Sequence, residues 1–361
     1  MTEPLASGPN DSQPTRRDFL ATAGATAATI AAGPFVHAAD KAGSKPPIIG
    51  IEGYKYECHH GWGQVPDHIK WHDTHGVAVD AAGLIYINHR APAGVDTIVV
   101  FEPSGKFVRS FAKDYAGGGH GIDIRRDGTE EFLYLTTNAP HRKVTKMTLT
   151  GEKVWEMQQP QECGKYKDVN QFNPTNIAFA PDGGFYVADG YGSHFIHLYD
   201  KDAKWVRTWG GAGKDVGQFQ TPHGIWLDDR PGRPPSIIVA DRANARLQYF
   251  TLDGQPLPDQ VVTNTVSFPA HFDTRGTQLL VPDLHARVTI LDKDNKVVVH
   301  LGYDADWTRQ VLDGFKMRTQ PDRWMPGRFI HPHDACFDKS GNILVTEWVA
   351  SGRVSLLKHV G

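Results

Sequence analysis

The segment His75-Gly-Val-Ala-Val-Asp80 recurs in altered form along the chain and decides the fold. A second clear copy is His223-Gly-Ile-Trp-Leu-Asp228, and the other copies begin at His120, Asn176, His271 and His333. The copies start about 45 to 60 residues apart, the spacing expected when one four-stranded sheet and its loops are repeated. Six repeats of this size indicate a closed ring of small sheets.

The sequence between the copies is typical of short strands. Most copies are followed by a turn and an alternating apolar strand, as in Gly83-Leu-Ile-Tyr-Ile87 and Gly184-Phe-Tyr-Val-Ala188. Further strands follow, as in Ala245-Arg-Leu-Gln-Tyr-Phe250 and Lys204-Trp-Val-Arg-Thr-Trp209. Hydrophobic period two dominates, and no long segment has a helical period. These patterns predict an all-β, six-bladed β-propeller.

The last repeat predicts how the ring closes. From His333 to Lys358 there is room for only three strands, whereas the apolar stretch from Ile48 to Tyr56 precedes the first repeat. We therefore expect this N-terminal strand to complete the last blade. No interior linker or low-complexity tract divides residues 40–361, so a single domain is predicted there.

Composition excludes several classes of protein. The 361 residues are 22% charged, 40% hydrophobic and 10% aromatic, which excludes disorder or a coiled coil as a description of the whole chain. The 37 glycines and 24 prolines argue against a helical bundle, and the formal charge is −3. The near-neutral charge provides no field that would attract nucleic acid or anionic lipid. The three cysteines, Cys58, Cys163 and Cys336, lack the spacing of a thiolate zinc site.

The first 39 residues resemble a twin-arginine export signal. Arg16-Arg17 is followed by a run of Ala, Gly and Thr and then by the small-residue cleavage signal Val36-His37-Ala38. The run is too short and too weakly apolar to span a bilayer. We expect export by the twin-arginine translocation machinery and a mature protein that is periplasmic or secreted, without membrane insertion. An ordinary amphipathic first helix is the alternative interpretation.

The six repeat anchors point to a metal site. The first strand of each blade lines the central channel, and residues on alternate blades are related by about a third of a turn. His120, His223 and His333 lie on blades 2, 4 and 6 and are predicted to converge on the axis. Three imidazoles with one open position suit catalytic Zn²⁺ or a similar transition metal. The alternative is that each histidine is hydrogen-bonded to a neighbouring blade or to a trapped water.

The anchors of the odd-numbered blades have less defined roles. His75, Asn176 and His271 face the same channel in this arrangement. They are predicted to be second-layer partners of the metal, a competing set of ligands, or substrate contacts.

Several motifs indicate which family of known proteins the repeats resemble. The repeats resemble NHL propellers, and over residues 74–358 they are similar to the lyase domain of the peptidyl-glycine α-amidating enzymes. The motifs that carry this likeness are Asn88-His89-Arg90, Pro174-Thr-Asn-Ile-Ala-Phe, Ala188-Asp-Gly-Tyr191, Gln218-Phe-Gln-Thr-Pro-His223-Gly, Ala240-Asp-Arg242-Ala-Asn-Ala-Arg246 and Pro332-His333-Asp334.

The resemblance implies particular roles for these positions. It implies zinc on His120, His223 and His333. It also implies Tyr191 as the catalytic base, with Arg90 as the cation that makes a phenol usable as a base near neutral pH. A rim aromatic and a surface ion pair are the alternative interpretations of these two residues.

The resemblance further implies a structural calcium ion in the channel. Its ligands would be the backbone carbonyls of Val77 and Ile122 and the carboxylate of Asp334, and oxygen ligands of this kind suit a hard cation. An aspartate that caps a turn or pairs with an inner arginine is the alternative.

Two positions depart from the family pattern. His331 stands where the family has methionine, so a base or possible ligand replaces a soft apolar contact. Gly192 stands where the family has the cysteine after the tyrosine, so that disulfide cannot form. We expect no fused copper hydroxylase domain, so a hydroxyglycine substrate would come from another enzyme.

Three functions from different classes follow from these observations. The leading hypothesis is a secreted, metal-dependent lyase that cleaves a carbinolamide N–C bond of a small-molecule or peptide substrate into an amide and a glyoxylate-like product. A metal-dependent, lactonase-like hydrolase is the second. A noncatalytic NHL propeller that binds a protein or glycan is the third.

Overall fold

The computed structural model describes residues 45–361, which belong to a single compact unit. The predicted export signal and the domain boundary after residue 39 lie outside the described residues. Six antiparallel sheets follow one another along the chain, and the predicted six-bladed β-propeller is confirmed.

The strands fall into the blades as the sequence pattern predicts. The first two strands, β1 (Ile48–Ile51) and β2 (Tyr54–His60), belong to the last blade. Blade 1 contains β3 (Thr74–Val79), β4 (Ile85–His89), β5 (Ile98–Phe101) and β6 (Phe107–Phe111). Blade 2 contains β7 (Gly119–Asp127), β8 (Glu130–Thr137), β9 (Lys143–Thr148) and β10 (Lys153–Met157). Blade 3 contains β11 (Ile177–Phe179), β12 (Phe185–Ala188), β13 (Phe195–Tyr199) and β14 (Trp205–Gly210).

The second half of the ring repeats this plan. Blade 4 contains β15 (Pro222–Asp228), β16 (Ser236–Asp241), β17 (Arg246–Phe250) and β18 (Val262–Thr263). Blade 5 contains β19 (Asp273–Arg275), β20 (Gln278–Asp283), β21 (Arg287–Leu291) and β22 (Val297–Leu301). Blade 6 contains β23 (Pro332–Phe337), β24 (Ile343–Glu347) and β25 (Arg353–His359) together with β1 and β2.

Helical structure is sparse among the described residues. One α-helix, α1 (Ala305–Leu312), lies in the connection from blade 5 to blade 6, and Asp304 caps it by accepting the Trp307 N–H at 2.8 Å. The 3-10 turns are Lys113–Tyr115, Gln161–Cys163, Val169–Gln171, Arg242–Asn244, Pro258–Gln260, Lys316–Thr319 and Pro321–Arg323.

The chain ends close the ring as predicted. β2 pairs antiparallel with β25, with Tyr56 opposite His359 and His60 opposite Ser355. Tyr56 and Cys58 of β2 are buried against Leu357 and Val345 of blade 6. The structure adds β1, which pairs with β2 and makes this sheet five-stranded.

The hydrophobic core is divided among the interfaces between neighbouring blades. One cluster of buried side chains lies at each of the six interfaces. Between blades 3 and 4, for example, Tyr186 and Ile196 pack against Ile225 and Phe250. Each fully buried Ile or Phe contributes about 2 kcal/mol, so the interfaces hold the inner strands of the blades in fixed positions around the channel.

Candidate metal centre

Breaks in the inner strands position the channel histidines. The pairing of inner and second strands shifts between Thr74 and Gly76, Gly119 and Ile122, Pro222 and Ile225, and Pro332 and Asp334. His75, His120, His223 and His333 each lie within one of these breaks. A bulge in a strand changes the direction of a side chain, so these irregularities allow the imidazoles to leave the plane of the blade.

Glycine follows three of these histidines for a steric reason. A Cβ atom at Gly121 would lie 2.3 Å from Oδ1 of Asn176, and one at Gly224 would lie 2.6 Å from Cα of His271. The next blade therefore approaches the backbone directly beside the histidine. The His-Gly pairs of the repeats are the sequence signal for these bulges.

The structure brings His120, His223 and His333 together in the channel. Their ring centroids are separated by 4.7, 4.8 and 4.8 Å. All three are buried. The alternate-blade geometry expected from the sequence is therefore present, with the three rings nearly equidistant.

A backbone carbonyl of the next blade fixes each of these rings. Nδ1 of His120 lies 2.8 Å from the Thr175 oxygen, and Nδ1 of His223 lies 2.6 Å from the Ala270 oxygen. Nδ1 of His333 lies 2.7 Å from the His75 oxygen. A carbonyl only accepts, so each Nδ1 carries the proton and each Nε2 keeps its lone pair, as in metal-ligating histidines.

The free nitrogens of two rings face each other. Nε2 of His120 lies 3.1 Å from Nε2 of His223, although neither nitrogen carries a proton in this tautomer. Two nitrogens bound at about 2.0–2.1 Å to one tetrahedral zinc ion lie roughly 3.3 Å apart. The residues present therefore fit a small cation that binds imidazole nitrogen atoms.

His75 adds a fourth imidazole to this cluster. Its ring centroid lies 4.6 Å from that of His333 and 5.2 Å from that of His120. Possible ligand atoms of His75, His120 and His333 all lie within 4.8 Å of one another, which makes this trio a second possible ligand set. We favour the trio with His223 because Nδ1 of His75 is buried without a hydrogen-bond partner in the described structure, so no carbonyl fixes that ring.

The cluster is uncharged at neutral pH. Burial lowers the pKa of His120 to about 3 and holds the pKa values of His75, His223 and His333 well below the usual value. The charge of Arg242 lowers these pKa values further. Neutral imidazole is the form that binds metal, so the site requires no deprotonation at pH 7.

Tyr191 lies at the edge of this cluster, in the turn after β12. Its hydroxyl is 3.1 Å from Nε2 of His223 and 3.0 Å from Nη1 of Arg242. The guanidinium only donates, so the tyrosine hydroxyl can donate to the histidine nitrogen. The side chain proposed as the base is therefore next to both an imidazole and a cation.

Hydrogen bonds to Asp189 hold the Tyr191 turn. The Asp189 carboxylate accepts N–H groups from Asn173 and Ser193, each at 2.6 Å, and the Tyr166 hydroxyl at 2.9 Å. This network supports the turn at the point where Gly192 removes the disulfide of the similar family.

Arg242 is the site residue that the sequence analysis did not assign. It is 1% exposed, its Nε donates to the Pro269 oxygen at 3.1 Å, and its buried Nη2 has no hydrogen-bond partner in the described structure. It takes part in none of the ion pairs of residues 45–361, and the neighbouring Asp283 pairs with Arg287 instead. Its signal was the Ala240-Asp-Arg242-Ala-Asn motif, which was used only to establish the resemblance.

Arg90 occupies the equivalent turn of blade 1 but is exposed. Its Nε donates to the Gly117 oxygen at 2.8 Å. Its charge lowers the pKa values of His75 and His120, which places it on the same side of the channel. The guanidinium that hydrogen-bonds the Tyr191 hydroxyl is that of Arg242.

The other predicted site residues lie around the cluster. Asn176 donates from Nδ2 to the His223 oxygen at 3.2 Å. Nδ1 of His331 donates to the Leu284 oxygen at 2.7 Å, and its ring packs against Phe315 and Trp348. His271 lies beside Trp226 and lines a separate cavity deeper in the channel.

That deeper cavity contains the predicted calcium ligands. It has a volume of about 190 Å³ and is lined by Val77, Ile122 and Asp334, together with Asp123 and Asp273. Burial raises the pKa of Asp123 to about 8 and that of Asp273 to about 7, and it raises the pKa of Asp334 well above its usual value. Asp123 and Asp273 remain partly accessible from the cavity. Three carboxylates around one cavity suit a hard cation, and the sequence analysis identified only one of them.

Sequence comparisons support a distant relationship to amidating enzymes. The chain is 29% identical over 211 residues to the peptidylglycine alpha-amidating monooxygenase of Rattus norvegicus, a match that covers 49% of this chain and 20% of the rat protein. It is 24% identical over 290 residues to peptidyl-alpha-hydroxyglycine alpha-amidating lyase 1 of Drosophila melanogaster, which covers 75% of this chain and 50% of the fly protein. The chain thus matches at most half the length of these two relatives. No protein-family model matches it.

Solved structures support the propeller fold. A streptogramin B lyase structure superposes with a TM-score of 0.52 at 11% identity, covering 84% of this chain and 97% of that one. Among residues 45–361, no helix has the length and apolar character needed to cross a membrane. At 11% identity, the likeness to the streptogramin B lyase structure establishes only the propeller architecture.

Proposed function

We propose that this chain is a metal-dependent carbon–nitrogen lyase that cleaves N-acyl-α-hydroxyglycines into a primary amide and glyoxylate. The observation that carries the proposal is the position of the Tyr191 hydroxyl, between Nε2 of His223 and Nη1 of Arg242. This arrangement combines a base, a cation and a cluster of neutral imidazoles within one buried site. The distant similarity to a peptidyl-alpha-hydroxyglycine alpha-amidating lyase supports the same chemistry.

The metal would be held by His120, His223 and His333. Zinc is the proposed ion because all three ligands are imidazoles and a fourth position would stay open. A bound zinc ion would act as a Lewis acid toward the substrate hydroxyl or carboxylate.

The residues of the chain provide the proton transfer. Tyr191, whose hydroxyl oxygen accepts from the Arg242 guanidinium, acts as the base that takes the proton of the substrate hydroxyl. The electron pair of that O–H bond becomes the second bond of the new C=O group, and the C–N bond breaks without water. The amide nitrogen takes the proton back from Tyr191, which yields the primary amide and glyoxylate and restores the base.

The deeper cavity has a structural role in this proposal. A calcium ion there would be held by Asp334 with the carbonyls of Val77 and Ile122, and the carboxylates of Asp123 and Asp273 line the same cavity. Such an ion would offset the negative charge of three neighbouring carboxylates and brace the inner strands of blades 1, 2 and 6. The export signal proposed at the N-terminus would place the protein in the periplasm or outside the cell.

A substrate comparison with metal control tests the proposal. The purified protein, with zinc and after chelation, is assayed with α-hydroxyhippurate for release of benzamide and glyoxylate, and separately with lactones for hydrolysis. Zinc-dependent release of both lyase products supports the proposal. Lactone hydrolysis without lyase activity would replace it by the hydrolase hypothesis. Absence of both activities, with no zinc bound, would favour a noncatalytic binding propeller.

A further inference from the structure

The connection from blade 5 to blade 6, residues 302–331, places Arg318 at the end of the channel where the histidines lie. Arg318, in the 3-10 turn Lys316–Thr319, donates from Nη2 to Oδ1 of Asp73 at 2.7 Å and from Nε to the Trp348 oxygen at 3.1 Å. Its guanidinium carbon lies 3.4 Å from the centroid of the Trp348 ring. These contacts fix the plane of the guanidinium.

The surroundings of Arg318 belong to the same end of the channel as the metal cluster. Asp73 lies two residues before His75, and the N–H of Trp348 donates to the His331 oxygen at 2.9 Å, two residues before His333. The packing of Trp307, Val311 and Met317 against Ile330 and Val349 anchors the connection to blade 6. The position of Arg318 is therefore fixed by this packing and by its hydrogen bonds.

Arg318 and Arg90 are linked through one residue. The Asp73 backbone oxygen accepts the Arg90 N–H at 2.9 Å, while the Asp73 side chain accepts from Arg318. Within residues 45–361, Asp73 is the one carboxylate in an ion pair with either guanidinium. The Asp73 carboxylate is therefore paired with Arg318, and the Arg90 guanidinium takes part in no ion pair of these residues. The charges of both arginines also lower the pKa of His75, so both lie near the imidazole cluster.

We propose that Arg318 is a specificity-determining residue that, with Arg90, binds the carboxylate of the substrate at the end of the channel. The inference rests on the proposed function, because it assigns one part of an N-acyl-α-hydroxyglycine. Nη1 of Arg318 makes no hydrogen bond in the described structure, so it can donate to a carboxylate while Nη2 and Nε keep their present partners. A guanidinium suits this task because its planar set of donors matches a carboxylate.

The proposal defines a substrate class. Recognition by two arginines requires a free carboxylate beside the reacting carbon, so esters and amides of the same compound should be poor ligands. The hydroxyl would lie toward Tyr191 on blade 3, with the carboxylate toward blade 1 and the connection.

Four proteins test the assignment: the unaltered chain, Arg318→Gln, Arg318→Lys and the control Arg309→Gln. Arg309 is an exposed residue of α1 in the same connection, so its replacement changes the net charge equally. The substrates are N-benzoyl-α-hydroxyglycine and its carboxamide. Arg318→Gln should raise the KM for the carboxylate about 10- to 100-fold, because charged hydrogen bonds contribute about 1.5–3 kcal/mol. It should change kcat less than 3-fold and leave the KM for the carboxamide unaltered.

The remaining variants separate recognition from folding. Arg318→Lys keeps the charge but not the planar donors, so its KM for the carboxylate should be intermediate, and Arg309→Gln should match the unaltered chain. Intact turnover of the carboxamide by Arg318→Gln reports a correctly folded site. An equal loss on both substrates, or no change on either, overturns the assignment.

A binding measurement separates this inference from the proposed function. Hippurate, which lacks the hydroxyl and cannot react, is titrated calorimetrically into the same four proteins. If the unaltered chain lacks lyase activity but binds hippurate in an Arg318-dependent manner, the lyase proposal fails and the carboxylate site stands. If lyase activity is present and Arg318→Gln binds hippurate normally, the lyase proposal stands and the carboxylate site fails.

Discussion

The hydroxyl of Tyr191 lies 3.1 Å from Nε2 of His223, the ring nitrogen that the Ala270 carbonyl leaves unprotonated. The two side chains come from neighbouring blades, and each is fixed independently. His223 is set by its carbonyl bond, and the Tyr191 turn is set by Asp189. The proposed base and the proposed metal site are therefore parts of one contiguous structure, and their functions can be separated by substitution.

Replacing Tyr191 with phenylalanine should abolish proton transfer without removing the metal. The ring would keep its edge contacts with His120 and His223, whose centroids lie 5.2 and 5.5 Å away. We expect kcat to fall at least about 10²-fold, the usual contribution of a general base, with unchanged zinc content by mass spectrometry. Tyr186→Phe is the matched control, since its hydroxyl donates to the Leu252 oxygen. Undiminished turnover by Tyr191→Phe would remove the proposed base.

Alanine substitutions of the four clustered histidines should distinguish the two possible ligand trios. If His120, His223 and His333 hold the ion, His223→Ala loses zinc and His75→Ala retains it. The opposite pattern identifies the trio of His75, His120 and His333. Zinc content and the visible absorption of the cobalt-substituted proteins measure the outcome, and His197→Ala serves as the control for loss of a buried imidazole outside the cluster.

Arg242→Met should separate activity from stability. Arg242 is a buried cation that forms no ion pair in the described structure, and replacing buried charges by apolar side chains is often neutral or stabilising. We expect kcat to fall about 10²-fold, while the free energy of unfolding stays constant or rises by about 1 kcal/mol. Arg246→Met, which breaks the ion pair with Asp241, should instead lower it by about 3 kcal/mol. A similar loss of stability in both variants would contradict the argument for Arg242.

The carboxylate cavity predicts a stability that depends on pH and on calcium. The pKa values of Asp123 and Asp273 are raised in the folded state to about 8 and 7. The stability gained from keeping these groups protonated is complete below about pH 4 and is lost as the pH rises through 7 and 8. Between pH 7 and 8 the buried imidazoles are neutral in the folded state but still lose protons in the unfolded state, which raises stability with pH. The contribution of the carboxylates is therefore measured against Asp123→Asn, which has the same imidazoles.

Thermal unfolding in a chelator should therefore show a Tm that falls from pH 7 to pH 8 relative to the Tm of Asp123→Asn, and millimolar calcium should remove this relative decline. Asp123→Asn should flatten the decline because the amide does not ionise. Asp334→Asn should remove the response to calcium while leaving zinc content unchanged. A Tm that is independent of both pH and calcium in this range contradicts a cation site in the cavity.

The sequence was sufficient for the ring and for the blades on which the channel histidines lie. The period-two strands and the repeated anchors predicted six blades, and the apolar stretch before the first anchor predicted the closing strand β2. These features are local, since each depends on the alternation of side chains within a few residues. The same repeat pattern predicts that His120, His223 and His333 converge in the channel.

Contacts between residues that are far apart in the sequence cannot be predicted from these local patterns. The bulge at each histidine depends on the close approach of the next blade, and the position of Arg242 depends on the turn after β16. Arg318 reaches the channel only because the connection packs on blade 6. Asp123 and Asp273 appear as ordinary strand residues in the sequence and acquire a common environment only when the ring closes.

One consequence follows from the adjacency of His333 and Asp334 in β23. Consecutive residues of this strand serve an imidazole layer on one side and an acidic layer on the other. A slip of β23 by a single residue would place Asp334 in the imidazole layer or His333 in the acidic layer, and in either case the other layer would lose its side chain from this strand. The two proposed ion sites are therefore coupled through β23, and an ion bound at either one would restrain the strand on which the other depends.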